Sequence, residues 1–243
     1  MTQSLHDHLQ SKTSSSNLPE GFIYLEDVAP TIIQEISYAR SHNFIGRPLD
    51  GYEAERCIVS IPLGNALANA QEEILNQGMT LKVYETYRPL RAAQDIIKWI
   101  MNINDQKMKA EFYPDIDKSK VFELGFIAIR SQHTRGAAVD LTLVPLPVPS
   151  QDTYQPGDDL KDSRLAKALR FNDNSIEMGT GFDCFDDLSH TMNPNISAEA
   201  HHNRMRLKDL MGKHGFINYE KEWWHYSLRD EPSPDTYFDF PIR

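Results

Sequence analysis

Two short stretches far apart in the chain constrain it most. One is Ser131-Gln132-His133-Thr134-Arg135-Gly136-Ala137-Ala138-Val139-Asp140, and the other is Glu222-Trp223-Trp224-His225. Together they hold two imidazoles, an aspartate and a spare glutamate. That inventory matches a catalytic zinc site: three protein ligands, an open position for water, and a carboxylate to take the water's proton. The segment between the stretches therefore reads as an excursion within one domain, because the two halves of the pattern lie on either side of it.

The spacing sets conditions on the backbone. His133 and Asp140 can reach one ion if a loop enters a strand, with Gly136 allowing a sharp turn. Asp140 lies between Val139 and Leu141, so in a strand its side chain points away from theirs, and a carboxylate in an apolar strand needs a partner. Taken alone, this segment fits a solvent-facing aspartate and a loop histidine equally well. Glu222 and His225 would share a face on a helix, but the neighbouring Trp223, Trp224 and Tyr226 favour a strand. A regular strand points them oppositely, so a shared site requires a bend near Glu222. Nitrogen and oxygen donors without thiolate suit zinc, although other divalent metals fit the same ligands. His42, His190, His201, His202 and His214 lack matching partners, and Cys57 and Cys184 read as inert buried thiols.

Charge and length narrow the function classes. The chain has 243 residues, 25 basic and 35 acidic, for a net charge of -10. It carries no electrostatic footprint for nucleic acid, and an anionic membrane would repel it. No apolar run is long enough to span a bilayer, and no basic leader followed by an apolar stretch opens the sequence. The expected compartment is the cytosol, with both cysteines reduced.

Residues 1–18 read as a polar, disordered tail in which His6 and His8 are solvated, and residues 19–243 as one domain. Leu63, Ala66, Leu67, Ala70 and Ile74 recur at helical spacing and Gly78 stops the helix. Leu81–Tyr87 alternates as a strand, Arg88-Pro89 ends it, and a helix follows over about 90–103. Val139–Val144 alternates again. A surface excursion rich in Pro, Asp, Gly and Ser occupies about 145–177, with a short helix expected at Ser163–Arg170. Ser197 caps a helix to about Lys213, Gly215 ends it, and Phe216-Ile217 and Trp224–Leu228 form the last strands. The fold class is α+β, with helices packed around a central antiparallel or mixed sheet.

The motifs resemble the zinc D,D-peptidases, and within them the D-alanyl-D-alanine dipeptidases of the VanX type. The resemblance rests on Ser-x-His-x-x-x-x-x-x-Asp and Glu-x-Trp-His. It also takes in Tyr38-Ala39-Arg40, Tyr87-Arg88-Pro89, Met178–Asp183, and the tail from Arg229 to Pro241. It implies that His133, Asp140 and His225 bind one zinc ion per chain and that Glu222 is general base and acid. It further implies that Arg88 stabilises the oxyanion, that Asp183 and Tyr38 hold the substrate's ammonium, and that Ser131 positions its carboxylate end. The implied partner is a small dipeptide. Two departures stand out: Glu85-Thr86 replaces the family's usual Asp-Gly before Tyr-Arg, and the segment between Leu143 and Met178 is long. The rival readings are a D,D-carboxypeptidase acting on peptidoglycan stem peptides and a zinc-stabilised binding module without catalysis. Glu222 and Arg88 together argue against the second.

Overall fold

The computed structural model describes residues 18–128 and 130–243. The expected tail, with His6 and His8, lies outside them apart from Leu18. Seven strands occur among the described residues: β1 (Phe22–Tyr24), β2 (Ile33–Gln34), β3 (Ile58–Ser60), β4 (Met79–Glu85), β5 (Ala138–Pro145), β6 (Phe216–Asn218) and β7 (His225–Leu228). β1 and β3 pair as an antiparallel ribbon. The other five form one sheet in the order β2-β4-β5-β7-β6. β2 runs parallel to β4 and every other pairing is antiparallel, so the sheet is mixed.

β5 shows why this sheet forms here. Its run Ala-Val-Asp-Leu-Thr-Leu-Val-Pro is buried almost end to end, with Val139, Leu141 and Leu143 on one face and Asp140 and Thr142 on the other. The helix Ile61–Leu75 packs against β4, burying Leu63, Leu67, Ala70 and Ile74 completely. Each such leucine contributes about 2 kcal/mol of transfer free energy. Pro62 suits its first turn, and Gly78 reverses the chain at φ +71°. The helix Ala198–Lys213 packs against β6, and the Ser197 Oγ accepts from the Ala200 amide at 3.1 Å. The helix Leu90–Met101 stops two residues earlier than its pattern suggests. The buried Lys118 ammonium takes the Asn102 and Asp105 carbonyls just beyond it, at 2.8 Å each. Among the described residues no helix is long and apolar enough to cross a membrane.

Residues 146–186 contain no helix or strand. The helix expected at Ser163–Arg170 is a series of turns. The Asp162 carboxylate takes the Arg164 amide at 2.9 Å and the Arg164 guanidinium as well, and these local bonds compete with a helical ladder. Lys82 of β4 fastens the segment from below. It is fully buried, donates to Asp173 O at 2.6 Å and Gln151 Oε1 at 3.1 Å, and pairs with Glu35.

Candidate metal centre and active site

The sheet delivers a row of polar side chains. Glu85 of β4 stands opposite Asp140 of β5, and Asp140 opposite His225 of β7. Residues in register on neighbouring strands share a face. Lys82 is also in register, with Thr142, yet Lys82 and Glu85 are an odd number apart and a regular strand would turn them to opposite faces. A bulge between Val83 and Glu85 absorbs the extra residue and keeps Glu85 in the row. His133 joins from the turn ahead of β5. Gly136 ends that turn at φ +66°, and a Cβ there would lie 2.4 Å from the Phe22 ring. Glycine satisfies both the backbone and the contact.

Three donor atoms converge. His133 Nε2 is 3.1 Å from His225 Nδ1 and 3.4 Å from Asp140 Oδ1, and His225 Nδ1 is 3.0 Å from that oxygen. Their outer hydrogen bonds determine what they carry. The Thr86 carbonyl can only accept, so His133 Nδ1 donates to it at 2.7 Å and Nε2 holds a lone pair. Ser227 Oγ donates to Gln132 Oε1 at 2.6 Å and accepts from His225 Nε2 at 3.2 Å, which leaves His225 Nδ1 bare. With both imidazoles neutral, two nitrogen lone pairs and a carboxylate oxygen thus face one another. They repel unless a cation lies between, and the fixed tautomers are those a metal requires. Ligands bound tetrahedrally at about 2.0–2.1 Å stand roughly 3.3 Å apart, so the spacing fits zinc as the donor types do. Burial works against the Asp140 charge, but His133 and His225 hold its pKa well below the carboxylate range.

The remaining candidates surround this triad. Glu222 lies in the irregular connection between β6 and β7, where its amide donates to Tyr219 O at 3.0 Å. Asn218 Nδ2 donates to the Glu222 and His225 carbonyls at 3.0 Å each, holding the bend. The bend brings Glu222 Oε2 to 3.9 Å from His225 Nδ1. Burial, then the charges of Asp140 and Asp183, raise the Glu222 pKa well above its ordinary value. Arg88 Nε donates to Glu85 Oε1 at 2.6 Å and its Nη2 to Oε2. Among the described residues nothing accepts a hydrogen bond from Nη1. Asp183 is buried at φ +56°, a conformation rare outside glycine, and accepts from the Tyr38 hydroxyl at 2.9 Å. Burial, then Asp140 and Glu85, push its pKa well up. Ser131 Oγ accepts from the His133 amide at 3.2 Å.

Tyr38, Arg88, Ser131, His133, Asp140, Asp183, Glu222 and His225 all line one cavity of about 220 Å³, walled by Phe44, Phe126 and Phe185. Pockets for drug-sized ligands measure roughly 300–1,000 Å³, so this cavity suits something smaller. Gln132 and Ser227 were not singled out from the sequence, and Glu85 only as part of a departure from the family pattern ahead of Arg88. Ser227 could have been: it lies two residues past His225 in a strand, on the same face. The histidines set aside lie elsewhere: His42 pairs with Glu111 and His214 with Glu73, at 2.9 and 2.8 Å. Both cysteines are buried, and burial pushes the Cys184 thiol up to about 12.

Known proteins share this arrangement's sequence over nearly the full chain. The family described as D-ala-D-ala dipeptidase matches residues 19–147 and 161–243. A D-alanyl-D-alanine dipeptidase of Enterococcus faecium is 35% identical over 92% of this chain and 98% of its own. One from Streptomyces coelicolor is 37% identical over 91% and 98%, and one from Enterococcus faecalis 33% over 93% and 100%. The solved structure of the vancomycin resistance D,D-pentapeptidase VanY with Zn(II) is a distant likeness, with a TM-score of 0.39 and 15% identity over 76% of this chain and 80% of that one. The chain belongs to the D-ala-D-ala dipeptidase family of peptidases.

Proposed function

We propose that this protein hydrolyses D-alanyl-D-alanine to two D-alanine molecules, using one zinc ion held by His133, Asp140 and His225. The observation that carries the reading is the convergence of three metal-ligating atoms beside a buried glutamate, in a small cavity that Asp183 and Arg88 also line. When bound, zinc supplies a Lewis acid and brings the pKa of a coordinated water towards about 7. Glu222 takes the proton from the attacking water at its carboxylate and passes it to the leaving amine nitrogen, and its raised proton affinity suits that work. The Arg88 guanidinium is held by Glu85 through Nε and Nη2, which leaves Nη1 for the oxygen on which negative charge develops. Asp183, oriented by Tyr38, receives the substrate's ammonium, since a buried ammonium needs a carboxylate. Ser131 lines the same cavity, and its assigned role is to position the second D-alanine near its carboxylate.

The acidic surface supports a small soluble partner over nucleic acid or membrane. We place the activity in the cytosol, within one domain spanning residues 19–243, acting on peptides from cell-wall metabolism. The test is alanine release from D-Ala-D-Ala and from L-Ala-L-Ala, with and without a chelator. Chelator-sensitive release from the D,D-dipeptide alone supports the reading. Release that survives metal removal overturns it.

A further inference from the structure

Asp183 and Glu222 serve opposite ends of the proposed reaction, one the substrate's ammonium and the other the attacking water. Neither lies in a helix or strand. No sheet ladder fixes them, so the backbone groups around them need other partners. Arg204, in the helix Ala198–Lys213, supplies one set. It is fully buried, and its guanidinium donates to the carbonyls of Met178 at 2.7 Å, His190 at 2.7 Å and Leu188 at 2.8 Å. Those carbonyls bracket Asp183 at both ends of its loop. Backbone bonds then join the far end of the loop to the β6–β7 connection. The Trp223 amide donates to Ser189 O at 3.1 Å, and the Thr191 amide to Glu220 O at 2.9 Å.

Closer to Asp183 the tie is made by side chains. Trp223 Nε1 is 2.9 Å from Thr180 Oγ1, Thr180 Oγ1 is 3.2 Å from Ser189 Oγ, and Ser189 Oγ is 2.6 Å from Cys184 O. An indole can only donate and a carbonyl can only accept. The direction of every bond follows: Trp223 donates to Thr180, Thr180 to Ser189, and Ser189 to Cys184. Each hydroxyl gives one hydrogen bond and takes one, so neither is free to turn. The relay begins at the neighbour of Glu222 and ends at the neighbour of Asp183. Thr180, Ser189 and Trp223 are all buried, so a broken link has no bulk water to replace it. None of the three lines the cavity around the triad. The Phe182 ring meets Trp224 edge-on at 5.5 Å and joins the same two segments.

We infer that Thr180 is a positioning residue for the hydrolysis: through Trp223 and Ser189 its hydroxyl sets the separation between the Glu222 and Asp183 carboxylates. The two acids act on different atoms of one small substrate, so an error in their separation cannot be absorbed by shifting the substrate. Seated by its ammonium, the dipeptide would present its carbonyl out of place for the water that Glu222 deprotonates. A misplacement of about 1 Å can cost about 10²-fold in rate. Arg204 holds the loop to its own helix, and the backbone bonds reach only the loop's far end. The relay is what ties residues 180 and 184, on either side of Asp183, to the residue beside Glu222. The inference rests on the proposed function.

The test compares Thr180→Val with Thr180→Ser in the zinc-loaded full chain, with D-Ala-D-Ala as substrate. Valine keeps the shape of the side chain and removes the hydroxyl, which leaves the buried Trp223 N–H without an acceptor. Thr180→Val should keep its zinc and lose at least about tenfold in kcat/KM, while Thr180→Ser stays within about twofold of wild type. A double-mutant cycle with Asp183→Asn separates positioning from a general effect on folding. Once the ammonium is no longer held by a carboxylate, the separation matters less, and the cost of Thr180→Val should fall to about threefold or below. Wild-type kinetics in Thr180→Val overturn the inference. So does a Thr180→Ser protein as impaired as the valine variant, or an undiminished loss in the Asp183→Asn background. If Thr180→Val does not fold, Ser189→Ala is read by the same loss and the same cycle. Failure of the wild type on D-Ala-D-Ala overturns the proposed function instead.

Discussion

Arg88 is gripped by Glu85, three residues before it, through both Nε and Nη2. Glu85 also accepts from Tyr52 at 2.8 Å, so the guanidinium is fixed by a buried network and not by one pair. We expect Arg88→Ala to depress kcat by about 10²–10³-fold, as loss of an oxyanion donor does. Glu85→Gln should weaken the grip and lower kcat less. Steady-state kinetics on D-Ala-D-Ala separates the cases: an Arg88 effect confined to KM would mean that it binds the ground state instead.

Glu222→Gln should keep its zinc and lose activity by about 10²–10⁴-fold. Metal content by mass spectrometry beside single-turnover rates is the relevant pair of measurements. A metal-free Glu222→Gln protein would mean that the carboxylate is a ligand.

Ser227 and Gln132 set the tautomer of His225 from behind. Ser227→Ala should weaken zinc affinity by about 10–100-fold, as loss of such outer partners does. Competition with a chromogenic chelator measures this without reference to turnover. His133→Ala, Asp140→Ala and His225→Ala should each bind zinc far more weakly than Ser227→Ala.

Asp183 carries a pKa raised by burial, then by Asp140 and Glu85. A carboxyl group with a higher pKa folded than unfolded favours the folded state at low pH, and that contribution is lost as pH rises through the folded value. At neutral pH the Asp183 carboxyl therefore costs stability relative to low pH. Asp183→Asn, which tolerates positive φ, should raise the Tm of the metal-free protein, by about 2–4 °C for each kcal/mol recovered. The same variant should lose recognition of the dipeptide's ammonium. Differential scanning calorimetry at pH 7 and pH 4 tests the sign: the difference from wild type should shrink at the lower pH.

The legible parts of this structure were those with a local cause. The helix Ile61–Leu75 follows from its apolar spacing and its closing glycine, and β5 from its alternation. The bend at Glu222 followed from requiring two residues three apart to serve one ion, and the β6–β7 connection supplies it. What escaped depends on side chains that meet across the sheet. Nothing near Glu85 in sequence announces Tyr52, and nothing near Gln132 announces Ser227, because both pairings arise only once strands are in register. The turns at Ser163–Arg170 escaped for a different reason: their helical composition loses to a local contest won by Asp162 and Arg164.

The bulge in β4 gives the site a parity. Lys82 below and Glu85 above face the same side only because one residue between them goes uncounted in the pairing with β5. Removing the uncounted residue would leave Lys82 and Glu85 an even number apart, so a straightened strand would still set Glu85 opposite Asp140 and on the side of the metal ligands. The strand thus carries one residue more than its pairing needs, a spare place in the count next to the position that grips Arg88.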